Sequence, residues 1–95
     1  MLNLTVKESW CRVTPKSDII EAILEERRRQ EFLKSQGTIP FSCADEVPMS
    51  LKHLVLSEEV GEVAKAIQER DWTNLRDELT QTAAVCVAWL EALEP

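Results

Sequence analysis

The 95-residue sequence predicts an all-α fold, in which an antiparallel helical hairpin follows an N-terminal helix. Glycine and proline, which interrupt helices, number only two and four, whereas alanine, leucine, glutamate and arginine are abundant. Apolar residues also recur at helical spacing in three separate stretches. Residues 1–14 have no clear period, so we interpret them as an N-terminal arm that precedes one helical domain, residues 15–95.

The first helix has a recognisable start and end. Thr14 followed by Pro15 indicates an N-cap and a first helical position. The apolar period continues to about Ser35, and Gly37 should end the helix. Residues 36–48 contain two prolines and a glycine without any period, which predicts a loop.

The second and third helices should lie close together in the chain. The second should begin at residue 48 or 49 and run to about Arg70. The next N-cap could be Asp71 or Thr73, and the spacing does not choose between them. The third helix should then reach about Leu93. Because so short a chain buries a modest core, we expect a homodimer or homotetramer that completes a larger bundle.

Composition narrows the functional classes. The net charge of −6 argues against a nucleic-acid or membrane-surface binder, since both partners are anionic. No apolar run approaches the ~20 residues that span a bilayer. Cys11, Cys43 and Cys86 form no metal-binding pattern, so we expect reduced thiols in a cytoplasmic protein.

Carboxylates are concentrated in the segment LSEEVGEVAKAI, residues 56–67. On a helix Glu62 lies about 60° from Glu59 and about 40° from Glu58, although like charges one turn apart repel. An antiparallel hairpin would place Glu78 and Gln81 opposite Glu59 and Glu62. Four oxygen-bearing side chains could then surround Mg²⁺ or Mn²⁺. The alternative is a solvated acidic face, and the pattern alone leaves both interpretations open.

Three segments resemble the MazG-like all-α nucleoside triphosphate pyrophosphohydrolases: IIEAILEERRRQ (19–30), LVLSEEVGEVAKAI (54–67) and LRDELTQTAAVCVAWLEAL (75–93). They cover about half of the chain and follow the order of the family. The family motif is EExxE followed after a spacer by ExxD. Glu58, Glu59 and Glu62 match its first half, and Glu78 opens the second. Gln81 stands where the family has aspartate, and ELxQxAAVxxAWLE is similar to a compact branch of the family.

The resemblance implies a reaction and a site. The expected activity is Mg²⁺-dependent cleavage of (d)NTP to (d)NMP and pyrophosphate, which clears unwanted nucleotides. Glu59, Glu62, Glu78 and Gln81 would hold the metal, and Glu58 or Glu59 would activate water. Since an amide adds no charge, Gln81 should weaken the metal site. The alternative is a non-catalytic helical module that binds a nucleotide or a protein.

Several other side chains have two interpretations. Arg27, Lys65 and Arg76 could contact the triphosphate, because cationic groups pair with phosphate oxygens. The alternative for Arg27 is a solvated surface that pairs with nearby glutamates, and Lys65 could equally reach an acid. Packing or structural roles are favoured for the histidine and the tryptophans, with the first tryptophan docking the arm: His53, Trp10, Trp72 and Trp89.

Overall fold

The computed structural model describes residues 16–94, which form three α-helices and contain no strand. Helix α1 spans Ser17–Ser35, α2 spans Met49–Gln68 and α3 spans Trp72–Leu93. The all-α prediction is confirmed for this part of the chain. The predicted arm, its tryptophan and the Thr14–Pro15 helix start lie outside the described residues. Within residues 16–94, no helix is both long and apolar enough to cross a membrane.

Helix α1 begins after Lys16, whose backbone is extended and whose side chain makes no cap hydrogen bond. Asp18 in the first turn accepts a hydrogen bond from the Ile19 N–H, where a negative charge also favours the helix dipole. Gly37 has a φ of +76°, the left-handed conformation that glycine adopts without strain. Its N–H donates to the Lys34 carbonyl, so the predicted glycine does turn the chain out of α1.

The joint between α2 and α3 consists of residues 69–71. Arg70 has a φ of +54°, so helical geometry stops before it, and α2 ends at Gln68 rather than Arg70. The Asp71 side chain accepts a hydrogen bond from the Asn74 N–H at 3.1 Å. Asp71 is therefore the N-cap of α3, which decides between the two candidates that the sequence offered.

Helix α3 packs against both α1 and α2, whereas α1 and α2 do not pack directly on each other within the described chain. The apolar core is small and consists mainly of Val85, Ala88 and Cys43 from the loop, with Ala66 and Ala84 also buried. Alanines permit close approach of the helices, but no large side chain of residues 16–94 is fully buried. One protomer thus has little core of its own.

Arg27 ties α1 to the end of α3. Its side chain, only 8% exposed as a residue, pairs with Glu31 at 2.6 Å and with Glu91 on α3. The expectation that Arg27 lies on a solvated surface is therefore wrong. Its long side chain is covered because α1 and α3 meet there, and the two carboxylates make the burial of its charge tolerable.

A second ionic network attaches the loop to α1. Lys34 pairs with Glu31 at 3.0 Å and with the loop residue Asp45 at 2.8 Å. Asp45 also accepts a hydrogen bond from the Ser42 N–H. A hydrogen bond with Ser42, together with Lys34 and Arg27, lowers the pKa of Glu31 to about 2. These contacts hold the loop against one side of the bundle.

Candidate functional site

Two of the predicted acids, Glu59 on α2 and Glu78 on α3, each have a buried carboxylate oxygen without a partner. The Oε2 atoms of both residues are inaccessible to solvent and have no hydrogen-bond donor among residues 16–94. Both residues lie on the packed pair of helices α2 and α3. A buried carboxylate oxygen normally finds a donor, because desolvation without one is unfavourable.

The charged groups that act on Glu59 and Glu78 come from all three helices. Burial raises the pKa of Glu59, and the charges of Glu78 and Glu26 raise it further. Burial also raises the pKa of Glu78, with additional contributions from Glu62, Asp77 and Glu26. We call Glu26, Glu59, Glu62 and Glu78 the acidic cluster. Its members repel one another, and among residues 16–94 only Glu26 of the four has an ion-pair partner, Arg29 at 2.8 Å.

A cavity of about 420 Å³ lies beside the acidic cluster. It exists because α1 and α2 both pack on α3 and leave a space between them, which the loop closes. We call it the three-helix cavity. One wall is apolar and is formed by Leu33, Ile39, Phe41, Val55 and Val85. A volume of this size suits a small-molecule ligand with a flat apolar part.

The predicted acids are placed differently around this cavity. Glu58, Glu59 and Gln81 all line it, so the structure brings these three side chains to one edge. Glu62 is exposed and takes part mainly through its charge near Glu78. The interpretation as a purely solvated acidic face does not describe Glu59, whose side chain is half-buried.

The three candidate phosphate ligands are also separated. Arg27 is engaged with Glu31 and Glu91 and does not line the three-helix cavity. Lys65 is exposed near the end of α2, away from this cavity. Arg76 is exposed on α3 and lines a second cavity, between α1 and α3.

The remaining candidates have ordinary surroundings. The Trp89 indole N–H donates to the Met49 sulfur at 3.3 Å, and the ring packs against the small core. Trp72 is 60% exposed at the start of α3, so the predicted packing role is not met within one protomer. His53 is exposed on α2. Among residues 16–94, Cys43 and Cys86 are free thiols; Cys11 lies outside these residues, so the reduced state of all three stays a prediction.

Sequence reasoning missed Glu26 as a member of the site, although a signal was present. Ile19, Ile23, Glu26, Gln30 and Leu33 advance by four, three, four and three residues along α1. That spacing is typical of the buried face of a packed helix. Two polar residues within such a face indicate a cavity or a site, and Glu26 and Gln30 both line the three-helix cavity.

The donor atoms fit a hard divalent cation. Within residues 16–94, no three or more histidine, cysteine, aspartate or glutamate side chains are gathered into a complete ligand set. Mg²⁺, however, is commonly held by one or two carboxylates together with waters and substrate phosphates. The unpartnered oxygens of Glu59 and Glu78 are suitable ligands of that kind.

The three-helix cavity and its acidic edge are thus defined by geometry and charge. Comparisons of the chain with protein-family models, with curated proteins and with solved structures found no significant match.

Proposed function

We propose that the protein is a Mg²⁺-dependent pyrophosphohydrolase that cleaves (d)NTP to (d)NMP and pyrophosphate and so removes unwanted nucleotides. The observation that carries this proposal is the pair of buried oxygens of Glu59 and Glu78, which have no hydrogen-bond partner among residues 16–94, together with the cavity of ligand size that Glu59 lines. The MazG-like resemblance of the EExxE segment supports the reaction class. An acidic edge alone would repel a triphosphate, so the substrate must arrive with a cation.

Glu59, Glu62 and Glu78 would hold Mg²⁺ or Mn²⁺, with Gln81 as a neutral fourth member. When bound, the ion supplies Lewis-acid polarisation of a phosphate oxygen and neutralises charge. The contribution of the chain is preorganisation. The two buried oxygens have no competing donor among residues 16–94, so an ion that reaches them breaks no existing hydrogen bond.

Glu58 is the better of the two candidates for general base. It lines the three-helix cavity beside Glu59 but is exposed, so its carboxylate can reach solvent water. In the proposed reaction, the water oxygen bonds to the α-phosphorus while Glu58 accepts the proton. The bond from the α-phosphorus to the oxygen that bridges to the β-phosphorus breaks, and that oxygen leaves with pyrophosphate.

The nucleoside end would occupy the apolar wall of the three-helix cavity. Phe41 and Ile39 from the loop and Val85 from α3 offer contact area for a planar base. Gln30 lines the same cavity and carries an amide that can both donate and accept hydrogen bonds. Of the three cations predicted to contact phosphate, Arg27 has a structural role and Lys65 lies away from the three-helix cavity, so we retain Arg76.

We further propose that α2 and α3 form the antiparallel hairpin of a MazG-like bundle, which a second copy or a set of four copies completes in the cytoplasm. Large apolar residues of these helices are half exposed: Val60, Ile67, Leu79, Leu90 and Leu93. A protomer with few buried apolar residues is stabilised when such side chains are covered by another copy.

One observation favours a second function, a non-catalytic nucleotide-binding or protein-binding module. Gln81 lines the three-helix cavity where the resembled family has an acid, which removes one negative charge from the metal site. A site with weaker metal affinity could retain nucleotide binding and lose turnover. In that case the acidic cluster would have a role in binding only.

The decisive experiment is a screen of the common NTPs and dNTPs with Mg²⁺, read out as pyrophosphate release. Activity is expected in the natural protein and is expected to be lost in Glu59→Gln. Glu46→Gln removes the same charge from an exposed loop position and should keep full activity. If neither the natural protein nor Gln81→Asp releases pyrophosphate from any nucleotide, the enzyme proposal fails and the binding module is favoured.

A further inference from the structure

A second cavity, of about 800 Å³, lies between α1 and α3 and opens widely to solvent. Its most prominent side chains are Arg28 and Arg29 on α1 and Arg76 and Thr80 on α3. We call it the arginine cleft. Three guanidinium groups and a hydroxyl around one space are unusual in a chain whose net charge is −6. The cleft is therefore a candidate site for an anion.

The arginine cleft borders the proposed nucleotide site. Glu26, Arg29 and Gln81 line both this cleft and the three-helix cavity. The two spaces thus meet at these three side chains, beside the acidic cluster. A ligand that extends from the apolar wall into the cleft must pass directly by the carboxylates.

Two arginines of the cleft have N–H donors that no carboxylate among residues 16–94 occupies. Arg76 has no carboxylate within ion-pair distance among residues 16–94. Arg29 is paired only with Glu26, through one Nη atom at 2.8 Å, and a guanidinium group carries five N–H donors. Arg28 is less free, because it contacts both Glu21 and Glu25. Arg29 and Arg76, on opposite walls, are the better anion ligands.

The acids of the cleft restrict the class of anion. Glu25, Glu26 and Asp77 also line it, so three carboxylates balance the three arginines. A simple anion such as sulfate would gain guanidinium contacts but would be repelled by these acids. A polyphosphate that carries a divalent cation satisfies both sets of groups, since arginine pairs with its oxygens and the cation offsets the carboxylates.

We propose that the arginine cleft binds a diphosphate group through Arg29 and Arg76. The group would be the β- and γ-phosphates of the substrate and, after cleavage, free pyrophosphate. This assignment of the ligand rests on the proposed function, whereas the cleft itself does not. It would also give the leaving group an exit to solvent on the side away from the nucleoside.

Isothermal titration with inorganic pyrophosphate in the presence of Mg²⁺ tests the proposal directly. We expect binding by the natural protein and about tenfold weaker binding by Arg29→Gln and by Arg76→Gln, the effect of losing a charge-assisted hydrogen bond. Arg70→Gln removes the same charge at the joint between α2 and α3 and should bind as the natural protein does. Equal affinity in all four proteins would overturn the proposal.

The same variants separate this proposal from the proposed function. If nucleotides are cleaved but pyrophosphate affinity is independent of both arginines, the cleft assignment is wrong and the enzyme stands. If both arginines are needed for pyrophosphate binding but no nucleotide is cleaved, the cleft stands and the enzyme does not. Circular dichroism checks folding, and Thr80→Val offers a second, uncharged change in the cleft should Arg29→Gln unfold.

Discussion

Arg27 on α1 and Glu91 near the end of α3 form an ion pair across the bundle, although 64 positions separate them in the chain. The arginine is buried, whereas the side chain of Glu91 remains half exposed. The pair thus anchors α1, the helix that supplies Glu26 and Gln30 to the three-helix cavity. Its loss should affect the fold before it affects chemistry.

Arg27→Ala should lower the free energy of unfolding by about 2–3 kcal/mol, because it removes a packed side chain, leaves Glu91 without its partner and takes one of two cationic partners from Glu31. Urea denaturation measures this change. Arg28→Ala is the matched control on the same helix, since Arg28 is exposed and its solvent-screened ion pairs should contribute much less to stability. Equal effects of the two substitutions would contradict the anchoring role.

The lowered pKa of Glu31 predicts acid sensitivity. Its stabilising contribution is fully present above the ordinary glutamate pKa of 4.5 and is lost as the pH falls toward its folded value of about 2. In that range the unfolded chain binds a proton that the folded chain does not, so stability falls with the pH. Glu31→Gln should flatten this part of the unfolding curve, measured by urea denaturation between pH 2 and 5.

The control for that measurement is Glu46→Gln, at an exposed loop position. This substitution should leave the dependence of the free energy of unfolding on pH, between pH 2 and 5, as it is in the natural protein. A steep loss of stability that persists in Glu31→Gln would assign the acid sensitivity to other groups.

Glu59→Gln should stabilise the metal-free protein. The raised pKa of Glu59 means that its ionised form is disfavoured in the folded chain, so stability falls as the pH rises above the ordinary glutamate value. At pH 7 the substitution should raise the free energy of unfolding by about 1 kcal/mol, within the usual range for a buried group without a partner. Thermal unfolding in the presence of a chelator measures the difference.

With Mn²⁺ bound, the natural protein should become more stable than Glu59→Gln. Binding to the folded state raises Tm by mass action, so the natural protein should gain stability with Mn²⁺ and Glu59→Gln should gain little. Glu46→Gln should respond as the natural protein does. A similar rise in Tm for Glu59→Gln would place the metal elsewhere.

Leu90→Glu should disrupt self-association. Leu90 is 59% exposed on α3, and a charge there would be buried at an interface between copies. Light scattering should give a dimer or tetramer for the natural protein and a smaller species for this variant. Thr73→Glu, at an exposed position on the same helix, should not change the mass. A monomeric natural protein would refute the proposed assembly.

Local signals in the sequence predicted the helices well. Gly37 and Asp71 act through their own backbone and nearest neighbours, so their effects can be predicted without knowledge of distant residues. Arg27 was misjudged because its burial depends on Glu91 and on the way in which α1 meets α3. Within the site, the sequence indicated Glu59 and Glu78 but not Glu26. The charge of Glu26 reaches the other two acids only because α1 packs on α3.

Because the joint at residues 69–71 is short, the relative orientation of Glu59 and Glu78 depends on the number of residues between them more than on which residues these are. With only three residues between Gln68 and Trp72, the rotation of α3 relative to α2 is set by the number of residues that separate Glu59 from Glu78. One inserted residue within α3 ahead of Glu78 would turn that carboxylate by about 100° around the helix and away from its partner. Lineages of this protein should therefore reject insertions between the two acids.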